Sequence, residues 1–209
     1  MRFPMRRFLG PSERAIRNTL AGLFGKIRVR FATEGQHLKS RKAWEALIIS
    51  LEGWSQHIDF SRLDPKGEFY LWRNLQDDVQ DRTQPGTVLD PIVVILRAAE
   101  AIAVGLASAK ALGWNSETAR LGFAFRWTKL KGRDLHPWAN PLTTISALDV
   151  AHDDEVTTFV EMPLDTPPSA IAPYVDEATK PLFVLFGGYR LPSAATEHWV
   201  RRLIERRMA

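Results

Sequence analysis

The segment from Asp90 to Gly113 constrains the fold more than any other stretch of the chain. It opens with Asp90-Pro91, carries small residues at Ala98, Ala99, Ala101, Ala103, Gly105, Ala107, Ser108 and Ala109, and stops at Gly113. An N-terminal Asp satisfies free backbone N–H groups, and Pro fits the first helical position, where its missing N–H costs nothing. Gly can end a helix in a left-handed conformation. These signals predict one helix from Pro91 to about Leu112, packed through Ile92, Ile95, Leu96, Ile102 and Leu106. Small side chains let neighbouring backbones approach closely, so the helix is expected at the centre of the fold. Ile92 to Leu112 is also the longest mainly apolar run, but Arg97, Glu100 and Lys110 interrupt it. A buried helix is expected rather than a membrane span.

The rest of the chain is ordinary for a globular protein: 209 residues, 45% hydrophobic and 25% charged, with seven Trp and eleven Phe to fill a core. There is no Cys, which excludes disulfides, thiolate metal sites and a Cys nucleophile. The start, Met1 to Gly10, is charged but lacks a following apolar stretch, so no signal peptide is expected. Together these readings point to the cytoplasm.

N-terminal to the central helix, Ser12 can cap a helix with Ile16, Leu20, Leu23, Phe24 and Ile27 on one stripe and Arg14, Arg17, Lys26 and Arg28 opposite. A second helix is expected over 39–57, with Trp44, Leu47, Ile48, Leu51 and Trp54 on one side. Phe60 to Gly67 reads as a turn. Glu68 to Arg73 is short and aromatic, and suits a strand or a first helical turn equally. Asp81 to Thr87 is a loop, and 81–90 is where a domain seam would fall. The pieces on either side are small, so one unit over 1–209 is favoured.

C-terminal to it the period becomes two. Leu121, Phe123, Phe125 and Trp127 alternate with Arg120, Gly122, Ala124 and Arg126. Further strands are expected at Thr143–Ala151 and Val156–Met162, joined by a hairpin turn at His152–Glu155. A helix should start near Thr166–Ser169, carry Ile171, Tyr174, Val175, Ala178 and Leu182, kink or restart at Pro181 and end at Gly187-Gly188. Ser193 or Thr196 should cap a last helix with Val200, Leu203 and Ile204 inside and Arg201, Arg202, Arg206 and Arg207 outside. The expected class is α+β, with helices packed on a small antiparallel sheet of about three strands.

Charge is uneven. Residues 1–42 hold eleven Lys or Arg against two Glu, so positions 1–38 form a basic arm. A second basic run joins Arg120, Arg126, Lys129, Lys131 and Arg133, with Trp138 just beyond. These six are the candidate contact residues for nucleic acid or another ligand, since cations hold phosphates and aromatics stack on bases. The string Arg120-Leu-Gly-Phe-Ala-Phe-Arg-Trp127 is superficially similar to the RNA-binding strand of the RRM. Leu121 is inserted, Arg126 replaces the expected Val, and the strand order is wrong for that fold. The shared face of Phe123, Phe125 and Trp127 reads better as core, leaving Arg120, Arg126 and the loop from Lys129 to Arg133 as the exposed patch. Asp77, Asp78 and Asp81 form an acidic cluster, expected to face the basic arm. His152-Asp-Asp-Glu155 reads as a solvated turn rather than a divalent-ion site. Asp149 and Glu161 fall on adjacent expected strands but lack the lysine of a nuclease motif. No catalytic set, no cofactor and no metal site are read.

Three blocks together resemble a known group: Trp54-Ser-Gln-His-Ile-Asp-Phe-Ser-Arg-Leu-Asp64, Phe69-Tyr-Leu-Trp-Arg-Asn-Leu-Gln-Asp-Asp78, and Phe123 to Arg133 with Trp138-Ala-Asn-Pro141. They are similar to the C-terminal region of bacterial proteins whose N-terminal half is a Schlafen/Alba-like DNA-binding domain, over about residues 40–205. No catalytic or binding residue carries over. The resemblance implies a non-enzymatic sensor or protein-interaction module of a regulatory or defence protein. Its partner would be another protein or a DNA-binding domain of the same protein, with no membrane. The chain shows no copy of that domain, so it is expected to be a piece of a longer protein or a module that works alone. The alternative is direct nucleic-acid binding through 120–133 and the basic arm.

Overall fold

A computed structural model describes residues 44–50, 57–64, 68–140, 143–145 and 149–205. The helix expected after Ser12, the basic arm 1–38, Leu51, Trp54, Arg206 and Arg207 lie outside the described residues.

The fold is built around helix α1, Pro91–Ala111. Asp90 caps it: one carboxylate oxygen accepts from the N–H groups of Ile92 at 2.7 Å and Val93 at 3.2 Å. Gly113 follows with φ of 80°, as the stop requires. The helix is long and apolar enough to cross a membrane by length and composition, but 61% of its apolar window is buried inside the fold. Helices α2, Ala172–Val184, and α3, Ser193–Ile204, pack against it. Ile95, Ala99 and Ile102 of α1 meet Val175 and Leu182 of α2 and Val200 of α3 in one core. Burying a large aliphatic side chain contributes about 1.5–3 kcal/mol, so this three-helix contact carries much of the stability.

The described strands form three small sheets. Strands β1, Trp44–Ser50, β2, His57–Asp64, and β3, Glu68–Arg73, make an antiparallel meander. Strand β4, Val88–Leu89, runs parallel to β6, Asp134–Leu135. Strand β5, Arg120–Thr128, pairs antiparallel with β7, Glu155–Pro163. The class is α+β, but the three-stranded sheet is not made of the strands that alternation singled out.

Several expectations change. Residues 44–50 are a strand, not part of a helix. Ile48 and Ile49 are adjacent and apolar, which suits either element, and pairing of Leu47 with Phe60 and of Ile49 with Ile58 decides it. Phe60 to Asp64 is therefore strand rather than turn. The stretch 143–151 shows no strand among its described residues. Ala151 instead exchanges hydrogen bonds with the loop after β5, donating to Arg133 O at 2.9 Å and accepting from Gly132 N–H at 2.7 Å. So His152–Glu155 does not close a hairpin; β7 pairs directly with β5. Finally, α3 has no side-chain cap. The hydroxyls of Ser193 and Thr196 donate to Asp176 of α2 at 3.1 and 3.2 Å, and Ile204 is exposed. Helix α2 also continues through Pro181 before Gly187 and Gly188 turn the chain with positive φ.

Candidate binding groove

The six candidate residues separate into three environments. Arg120 and Arg126 lie on the outer face of the β5–β7 pair, but each is taken by a glutamate of the neighbouring strand. Arg120 binds Glu161, and Arg126 donates to Glu155 at 2.6 Å. Between them the Phe159 ring lies across Gly122, where a Cβ would come within 2.9 Å of the ring. Glu161 is thus a pairing residue. Asp149 sits outside any strand, with its carboxylate 2.8 Å from His152 Nε2, so the two acids do not stand on adjacent strands. Lys129 and Lys131 are exposed, Lys129 in a turn with φ of 61°.

Arg133 and Trp138 point inward, against expectation. Arg133 is 1% exposed. Its guanidinium forks onto Asp78 at 2.8 and 2.7 Å and also donates to the carbonyls of Val88 and Lys129. Trp138 Nε1 donates to Asp77 Oδ1 at 2.8 Å, and the Asp90 N–H donates to the same oxygen at 2.7 Å. The other oxygen of Asp90 accepts from Ala139 N–H at 2.6 Å. Asp77 and Asp78 therefore serve this interior cluster rather than a surface facing the arm; Asp81 alone of the three is exposed. The cluster stitches 77–90 to 133–139 across the point where a seam was expected. Burial pushes Asp77 upward against its N–H donors, and pushes Asp90 to about 6. Burial acts on Asp78 too, but the Arg133 fork and the Gly86 N–H outweigh it and hold that carboxyl below its ordinary value.

The inner face of β5 does turn toward the core, as its alternation predicts. Phe123 stacks on Phe125 with centroids 6.4 Å apart, and Phe125 on Trp127 at 5.6 Å. Gly105 of α1 makes room for this ladder: a Cβ there would stand 2.5 Å from Phe123 Cε1. The ladder is only half-buried. It forms one wall of a groove of about 910 Å³ whose floor is α1, at Val94, Ala98, Ala101 and Gly105, and whose other wall is Phe69 and Leu71 of β3.

One end of the groove is polar and rigid. Arg73 of β3 forks onto Asp59 at 2.7 and 2.5 Å and reaches Glu100 of α1 at 2.6 Å. Arg97 donates to the same Glu100 oxygen at 2.8 Å and to Gln76 at 2.8 Å. Burial would raise the Glu100 carboxyl, but the two arginines outweigh it and hold it low. These pairs join the meander to α1 and set the width of the groove. Sequence reasoning missed Arg73 and Leu71 because β3 was ambiguous between strand and helix. The signal that could have found them is the alternation of Phe69, Leu71 and Arg73 against Glu68, Tyr70 and Trp72.

Chemically, the groove offers apolar walls and charged groups already engaged with one another. Among the described residues, no cluster of three or more His, Asp or Glu is placed to hold a metal ion. No protein-family model, curated protein or solved structure matches this chain.

Proposed function

We propose that the chain is a non-enzymatic sensing or interaction module that receives an apolar segment of a partner protein in the groove over α1. The observation that carries this reading is the ladder Phe123–Phe125–Trp127, only partly buried along the groove beside a small-residue helix face. Stacked aromatics left half-solvated retain apolar area for a partner to bury, and aromatic anchors commonly dominate protein interfaces. The arginines in and beside the groove, Arg73 and Arg97 at its polar end and Arg120 and Arg126 on the outer face of its β5 wall, are already paired with acids or amides. This favours an apolar occupant over a phosphate backbone. Direct nucleic-acid contact through 120–133 would rest on Lys129 and Lys131, since Arg133 is buried. The resemblance to the bacterial Schlafen/Alba-linked proteins supports a role in a cytoplasmic, nucleic-acid-linked regulator, with the partner on a neighbouring domain or another protein.

The test is a titration of the full chain with the apolar dye 1-anilinonaphthalene-8-sulfonate. Ala101→Trp should fill the groove from its floor. Dye fluorescence should fall several-fold in this variant and stay unchanged in Lys131→Ala, which lies outside the groove. Equal fluorescence in Ala101→Trp and the parent chain would remove the groove as a binding site.

A further inference from the structure

The outer face of the β1–β2–β3 meander is apolar and open. The register places Leu47, Phe60 and Trp72 in one cross-strand row and Ile49 with Ile58 in the next. Tyr70 joins them, its ring 6.2 Å from that of Phe60. Ile49, Tyr70 and Trp72 are 56%, 54% and 48% exposed. The opposite face carries Asp59 and Arg73 toward Glu100 of α1, so the sheet cannot turn the apolar rows inward. Single exposed apolar residues are ordinary, whereas contiguous rows on one sheet face mark a docking surface.

We propose that this face docks the chain's own segment 12–28 as an amphipathic helix. Three observations commit the face to that occupant. The segment has a matching stripe, Ile16, Leu20, Leu23, Phe24 and Ile27. The charges are complementary: the outer face bears Glu45, Asp64 and Glu68 against Arg62, and the segment bears Arg14, Arg17, Lys26 and Arg28 against Glu13. The same asymmetry holds for the chain, with eleven cations and two acids in 1–42 and 17 cations and 22 acids after them. The geometry of attachment also fits. Residues 29–43 lead straight into Trp44, the first residue of β1, and fifteen residues can span up to about 50 Å. A 17-residue helix is about 25 Å long, close to the length of these strands at about 3.3 Å per residue. Gly22 and Gly25 weaken the helix in isolation, so the sheet supplies the packing that holds it.

This inference does not depend on the groove. Its test places the photo-cross-linker p-benzoylphenylalanine at Tyr70 in the full chain, in a mixture of heavy and light isotopic forms. Cross-links should land between residues 16 and 27 of the same chain. Leu20→Asp with Leu23→Asp should lower their yield at least tenfold, and Ala101→Trp should leave it unchanged. Should the Tyr70 variant misfold, the probe at Ile49 gives the same readout. Cross-links that land elsewhere, or that join heavy to light chains, would overturn the proposal while leaving the dye titration of the groove intact.

Discussion

Arg133 and the pair Arg120 and Arg126 belong to one basic run in the sequence, yet they do opposite things. Arg133 is enclosed, with its fork on Asp78 and two backbone carbonyls. Arg120 and Arg126 lie on an open two-stranded face, more than half exposed and tied to Glu161 and Glu155. Water screens the second kind of pair and contributes almost as much to the separated charges as the pair does. Inside the fold there is no such compensation, so an arginine deprived of its partner, or a partner deprived of its arginine, is a severe loss. A cluster of like charges in a sequence is thus no measure of a surface: the same residue type can be a structural fastener or a solvated decoration.

The comparison can be broken most directly at Arg133. Arg133→Ala should destabilise the protein by about 3–5 kcal/mol, because Asp78 and two carbonyls lose their shared donor. Urea unfolding followed by circular dichroism measures this, and a change below about 1 kcal/mol would place Arg133 in the same class as Arg120.

A smaller effect should appear as pH dependence of the same interior cluster. The Asp90 carboxyl stands at about 6 in the fold against 3.8 when unperturbed. Between these values the folded state holds the extra proton, so Asp90 makes stability fall as pH rises from about 4 to about 6. The deficit then persists at higher pH, amounting to about 2–3 kcal/mol at 1.36 kcal/mol per unit. Asp90→Asn keeps a helix-capping oxygen and should remove this component. Urea midpoints across pH 4–7 for both proteins should diverge through that window, with the parent chain losing ground; parallel profiles would exclude a titrating Asp90.

The smallest effect belongs to the outer face. Arg120→Ala combined with Arg126→Ala should leave the urea midpoint unchanged at moderate salt. A loss comparable to that of Arg133→Ala would erase the distinction between the two environments.

Local chemistry made part of this readable. Asp90-Pro91 and Gly113 mark the ends of α1 because capping depends on nearest neighbours in the chain. The alternation of Leu121, Phe123, Phe125 and Trp127 correctly assigns a strand and its inward face. It does not reveal that the face is only half covered, because coverage depends on how far β3 stands from β5 across α1. Trp44 to Ser50 and Phe60 to Asp64 differ from the helix and turn expected there for a related reason. Their residues suit more than one element, and only pairing across the hairpin, such as Trp44 with Leu63 and Ser50 with His57, selects the strand. Likewise Thr143 to Ala151 has the composition of a strand, but β7 found its partner in β5.

The sequence by itself determined the class, the central small-sided helix, the strand at 120–128 and the helices at 172–184 and 193–204, since propensity, periodicity and capping act within a few residues. The tertiary structure alone decided which cations are buried, which acids neutralise them, which strands pair, and that an aromatic ladder and an apolar sheet face remain open. Those outcomes depend on groups such as Arg133 and Asp78, 55 positions apart, whose meeting is a property of packing and desolvation rather than of any local pattern.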